Sequence, residues 1–264
     1  MGAKSGGKPW SRGELLIVCN LYFTLPFGQM HARNAVIIAL AQTLQRTPAS
    51  IAMKLVNFAS LDPANKARGV SGLTGTSRAD REIWQEFRTN LPDLAIESEN
   101  ALFKLYPKLR SENKSHQKLL EAILPPPTLQ TERVSNVLIR TMQSFFRRLI
   151  LAAYESRCCV TGNPLPQLLV ASHILPWSAF SEHRLDPHNG LCLAAHFDKA
   201  FDSGLITFGE DMRLILGSTI RAHLADKAVA REFVSLEGTL LRASVRFPPN
   251  PEFLAYHCKK VFKG

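Results

Sequence analysis

Four side chains between positions 173 and 202 have the types and spacing that water activation requires: His173, Asn189, Asp198 and Asp202. An imidazole with an unperturbed pKa of about 6.5 can take a proton from water near neutral pH. Asp198 and Asp202 are four apart, so on a helix they share a face, where two carboxylates repel unless a cation lies between them. Oxygen donors in that number suit Mg²⁺ or Mn²⁺, hard ions that keep several waters and bind through one or two carboxylates plus a substrate phosphate. The pattern points to a base and a metal facing each other across a phosphate. The amide of Asn189 is placed to hydrogen-bond the surroundings of the histidine and fix its ring.

Positioning these groups needs a short run of elements. Cys159-Val-Thr-Gly162 reads as a strand entering a turn, and Leu168 to Ile174 as a strand delivering His173 at its end. A polar loop from Trp177 to Pro187 leads to a short strand, Asn189 to Leu193. Ala195 to Ser203 then reads as a helix that presents both aspartates and is closed by Gly204, a residue suited to the left-handed cap. A preceding helix, Arg133 to Tyr154, has Phe145, Phe146, Leu149, Ile150 and Ala153 at helical spacing, a core face that braces the unit.

The ordered blocks Ala171-Ser-His-Ile-Leu-Pro-Trp177, Asp186-Pro-His-Asn-Gly-Leu-Cys-Leu193 and His196-Phe-Asp-Lys-Ala-Phe-Asp202-Ser-Gly-Leu-Ile206 resemble the HNH endonuclease motif, in the branch found in bacterial restriction-like proteins. The resemblance covers residues 140 to 217. It implies a ββα-metal fold that hydrolyses phosphodiesters in double-stranded DNA and leaves 5′-phosphate and 3′-hydroxyl ends. It implies His173 as general base, Asn189 as the residue that orients it, and metal binding at the positions nine and thirteen after the Asn, which are Asp198 and Asp202. Carboxylates stand there where many members have His. The residue before the base is often Asp or His; here it is Ser172, a poor ligand. His196 sits seven after the Asn, displaced by about 200° from Asp198 on a helix, so it is expected, like Lys199 and Ser172, to touch the substrate phosphate or the groups that hold the metal rather than the metal itself. Lys199 and Arg184 are further cations that could steer phosphate, while His183 and His188 read as solvated or phosphate-touching loop side chains rather than metal ligands. A role in restriction or phage defence follows from the resemblance. The alternative is a DNA-binding protein with a silent nuclease fold, for which Ser172 is the motivating feature.

The 264 residues are enough for two domains, and 45% hydrophobic with 20% charged residues excludes collagen, coiled coil and wholesale disorder. The longest apolar run, Ala35 to Ala41, is far too short to span a bilayer. The N-terminus lacks a leader pattern, so a cytoplasmic address is expected. Lys+Arg of 32 against Asp+Glu of 22 gives +10, a balance that favours a polyanionic partner. Residues 1 to 60 carry six of the cations (Lys4, Lys8, Arg12, Arg33, Arg46, Lys54) and a single acid, Glu14.

Three helices are expected in that region: Ser11 to Tyr22, Asn34 to Gln45 and Pro48 to Ser60. The third has Thr47 as N-cap, Pro48 at its first position and Asp62-Pro63 beyond its end. With Ile51, Leu55 and Phe58 facing a core, Ser50, Lys54 and Asn57 fall on the opposite face, and with Arg46 they would suit DNA in a helix-turn-helix module. The expected organisation is α+β: residues 1–63 a helical DNA-binding-like domain, 64–127 a linker and helical connector ending at Pro125-Pro126-Pro127, and 128–264 the nuclease with a C-terminal extension. After Gly217 an extra helix and hairpin are expected, then a connector, Phe247 to Pro251, and a final helix carrying Lys259 and Lys260. Five cysteines without a C-x-x-C pair read as reduced thiols rather than a zinc site.

Overall fold

In the computed structural model the chain divides into two compact units, Met1–Phe145 and Phe146–Gly264. Residues 8–67, 69, 75–112 and 134–264 are described, with side chains omitted at 106–112 and 134–138. The triple proline at 125–127 lies outside them, as does part of the Gly/Ser/Thr-rich stretch after residue 67. Among the described residues, no helix is long and apolar enough to cross a membrane.

The first unit is helical: α1 (Arg12–Thr24), α2 (Ala35–Thr43), α3 (Pro48–Leu61), α4 (Pro63–Ala67), α5 (Arg78–Thr89) and α6 (Leu91–Glu112). A capping box between Ser11 and Glu14 starts α1, and Thr47 caps α3 with Pro48 behind it, as the sequence predicts. Every residue of α1 from Glu14 to Phe23 is buried, so this helix is the centre of the unit, packed against α3, α5 and α6. Phe23 stacks on Trp84 at 5.5 Å, and Tyr22, Phe58 and Phe87 complete the aromatic core.

This packing corrects several expectations. The expected connector 64–127 contains the 22-residue helix α6, and α1 and α3 pack on helices of that connector, so they share one compact unit with it. Lys54 and Asn57 do not face outward. Both are buried, with Lys54 Nζ donating to Asp80 Oδ1 at 2.6 Å and Asn57 Nδ2 donating to Asp80 Oδ2 at 3.1 Å. Arg46 donates to both oxygens of Glu14 at 3.0 Å and to the carbonyls of Lys8 and Pro9, and lies 3.9 Å over the Trp10 ring. Ser50 is half-buried and its hydroxyl donates to the Thr47 carbonyl. A buried carboxylate demands a partner, and the cations of this face supply it. Those pairs outweigh the burial that would raise the acids: Glu14 is lowered to about 2 and Asp80 is lowered as well.

The second unit opens with the C-terminal turns of α7 (Val134–Ala153). β1 (Leu169–His173) pairs antiparallel with β2 (Gly190–Ala194), from Leu169 opposite Ala194 to His173 opposite Gly190. A Cβ on Gly190 would lie 2.3 Å from Ile150 Cδ1, so the glycine lets α7 approach the strand end that carries His173. Cys158 to Gly162 is a turn closed by a Gly162-to-Cys158 hydrogen bond of 2.9 Å, not the expected strand. β2 runs directly into α8 (Ala195–Asp202), which ends at Gly204 with φ +72°, the left-handed cap the sequence predicts.

A hairpin of β3 (Ile206–Phe208) and β4 (Leu214–Leu216) follows, so the hairpin lies before Gly217 rather than after it. Beyond it come three helices, α9 (Ser218–Ala222), α10 (Lys227–Phe233) and α11 (Pro251–Lys260). The last holds α8 in place: His257 stacks on Phe201 at 3.6 Å, its Nε2 donates to the Phe201 carbonyl at 3.1 Å, and its Nδ1 accepts from Thr207 Oγ1 at 3.0 Å.

Candidate active site

His173 projects from the last position of β1, half-buried between two aromatic rings. Phe146 of α7 stacks on the imidazole with 3.9 Å between centroids, and Trp177 meets it edge-on at 5.2 Å. Nε2 lies 3.0 Å from the carbonyl oxygen of Arg184. A carbonyl only accepts, so Nε2 carries the proton and Nδ1 is left with its lone pair. No hydrogen-bond partner occupies Nδ1 among the described residues. Burial lowers the pKa of His173 from its ordinary value, against the opposing influence of the Arg184 carbonyl and the negative charge of Asp198. The ring is therefore neutral at pH 7, the state a proton acceptor needs.

Asn189 is buried and does not touch the imidazole. Its Oδ1 accepts from the Leu175 amide at 2.7 Å and its Nδ2 donates to the His183 carbonyl at 3.0 Å, while its backbone carbonyl accepts from Ile174 at 3.0 Å. One side chain thus ties both ends of the loop whose Arg184 carbonyl holds His173.

Asp198 and Asp202 stand one turn apart on α8. Neither forms an ion pair or a hydrogen bond among the described residues. Partial burial raises the Asp202 pKa, the charge of Asp198 raises it further, and Lys199 opposes both. Among the described residues, no group of three or more His, Cys, Asp or Glu side chains is placed to hold a metal. The donor set fits a hard ion that keeps most of its waters, and does not fit a closed zinc site.

The other predicted residues divide. Ser172 is buried, paired with Leu191 across the sheet, and its hydroxyl has no hydrogen-bond partner. His196 is exposed, 3.5 Å from Glu232 of α10, and Lys199 is exposed beside Asp198. Half-buried His183 lies 3.5 Å from Asp186 and against Phe253, and half-buried His188 donates from Nδ1 to the Pro248 carbonyl at 2.7 Å. The five cysteines are free thiols, four of them buried, with burial pushing Cys192 up to about 12. The loop carbonyl of Arg184 escaped sequence reasoning because a backbone acceptor leaves no residue-type signature. The rings of Phe146 and Trp177 were visible only as core-like aromatics.

Residues 158–209 match the family model of the HNH endonucleases. The HNH segment contains His173, Asn189, Asp198 and Asp202 together with β1, β2 and α8, and stops short of the helical first unit. Within the second unit this segment is therefore similar to an HNH endonuclease domain, a similarity that implies a nucleic-acid substrate. Enzymes of this family generally use a divalent metal ion. No curated protein matches the chain.

Proposed function

We propose that this protein is a metal-dependent endonuclease acting on double-stranded DNA, with His173 as general base. The observation that carries the reading is the tautomer imposed on His173. With Nε2–H committed to the Arg184 carbonyl, Nδ1 accepts a proton from water, and the resulting hydroxide attacks phosphorus in line with the leaving 3′ oxygen. The positive charge that forms on the ring is favoured by the nearby Asp198 carboxylate. Phe146 stacked beneath the ring and Asn189 bridging the loop hold the imidazole in one orientation, so that little reorganisation accompanies proton transfer. Asp198 and Asp202 would hold Mg²⁺ or Mn²⁺, which supplies positive charge against the phosphate and the leaving oxygen. Exposed Lys199 and His196 stand on the same helix, where a phosphate backbone would pass. Restriction or defence against foreign DNA is the biological role we infer for such an activity.

Supercoiled plasmid incubated with Mg²⁺ or Mn²⁺ should be nicked or linearised, and a chelator should stop it. Asp198→Asn with Asp202→Asn should abolish cleavage. It should also remove the rise in melting temperature that Mn²⁺ gives the intact protein, a readout independent of activity. The silent-fold reading draws on Ser172, whose buried hydroxyl offers no carboxylate or imidazole at a position where relatives of the motif often have one. Absence of metal-dependent nicking would favour it.

A further inference from the structure

The loop between β1 and β2 carries a guanidinium that the water-activating arrangement does not use. Arg184 lends its carbonyl to His173, but its side chain turns to Trp177, with Nε donating to the Trp177 carbonyl at 2.9 Å and Cζ 5.0 Å from the indole centroid. Those two contacts employ one of the five N–H donors and fix the plane of the fork. Nη1 and Nη2 make no hydrogen bond or ion pair among the described residues. Arg46 and Arg147, also half-buried, spend theirs: Arg46 on Glu14 and two carbonyls, Arg147 on the carbonyls of Leu169 and Pro166. The acids on the same loop do not answer Arg184 either, since Glu182 and Asp186 both face His183. A half-buried fork with four unspent donors, mounted on an aromatic ring, is shaped for a tetrahedral oxyanion.

The indole neighbours both groups, its centroid 5.0 Å from Cζ of this fork and 5.2 Å from the imidazole. We propose that Arg184 grips the phosphate adjacent to the one His173 acts upon, with Trp177 as its mount, so that the strand is held at two successive phosphates. Phosphates recur along each strand at about 3.4 Å of axial rise, so a chain laid across His173 carries its next anion toward the guanidinium. The inference rests on the nuclease reading.

Two measurements on the full chain test it. In a His173→Ala background with chelator present, binding of a short DNA duplex is followed over a KCl series. Adding Arg184→Ala should lower the slope of log K against log salt by about 0.9, the value of one phosphate contact, and Arg184→Lys should restore most of it. With His173 intact, Arg184→Ala should raise KM about tenfold and leave kcat within about twofold. The backbone carbonyl that holds His173 survives each substitution, which separates grip from base positioning. Unchanged slope and KM would overturn the proposal, as would a fall in kcat with slope and KM preserved. If the unaltered protein fails to cleave, the nuclease reading falls, and the salt slope alone still decides whether Arg184 contacts phosphate.

Discussion

The two units bury polar groups in opposite ways. In the helical unit buried charges meet opposite charges: Lys54 and Asn57 on Asp80, Arg46 on Glu14, with Tyr22 and Asn65 completing a chain at Asp62. In the second unit buried His257 and half-buried His173 are kept neutral by desolvation, and the polar atoms at the strand end and on α8 make no hydrogen bond among the described residues: His173 Nδ1, Asp198 and Asp202. The paired groups of the first unit brace its core, whereas half-buried Asp198 and exposed Asp202 remain available to solvent and ligand.

The sharpest way to break this comparison is Lys54→Ala. It strands the Asp80 carboxylate in the interior and should cost about 3–5 kcal/mol in denaturant unfolding. A stable Lys54→Ala variant with weakened DNA binding would instead restore the outward-facing helix expected from sequence.

Acid should separate the units next. Burial lowers His257 from 6.5 to about 4, against a hydrogen bond from its ring to Phe201. The unfolded chain thus takes up the proton first, and stability that is full above 6.5 is lost as pH falls through about 4, up to about 3 kcal/mol in the second unit. Glu14, depressed to about 2 from 4.5, contributes stability to the first unit that is lost only between 4.5 and about 2. Urea midpoints at pH 7, 5 and 3, read by fluorescence and amide exchange, should therefore show the nuclease unit weakening first. Simultaneous weakening would contradict the contrast.

A smaller effect is expected at Gly204, where φ is +72° and a Cβ would sit 2.1 Å from the Val261 carbonyl. Gly204→Ala should cost about 2 kcal/mol in thermal unfolding through backbone strain and displacement of the end of α8.

What was legible in the sequence follows the same division. The nuclease unit could be read because its elements are short and punctuated: His173 ends a strand, Gly204 closes a helix, and Asp198 and Asp202 keep a four-residue spacing. Periodicity also marked α1, α2 and α3. It could not reveal what lay opposite them. The polar face of α3 looked solvent-bound because Asp80, the partner that buries it, lies on another helix far along the chain. Helix α6 was expected only as part of a connector, because its mixed pattern gains meaning only against α1. In the site, the side chains were visible and the Arg184 carbonyl that selects the His173 tautomer was not.

The central claim is that a neutral His173, held through Nε2, takes the proton from water at Nδ1. Single-turnover cleavage of a DNA duplex in saturating Mn²⁺, followed from pH 5 to 8, tests it most directly. The rate should climb with an apparent pKa below 6.5 and level off by pH 7, and His173→Ala should lower the plateau about 10²- to 10⁴-fold and remove that inflection. A His173→Ala variant that cleaves at the wild-type rate with the same inflection would contradict the account.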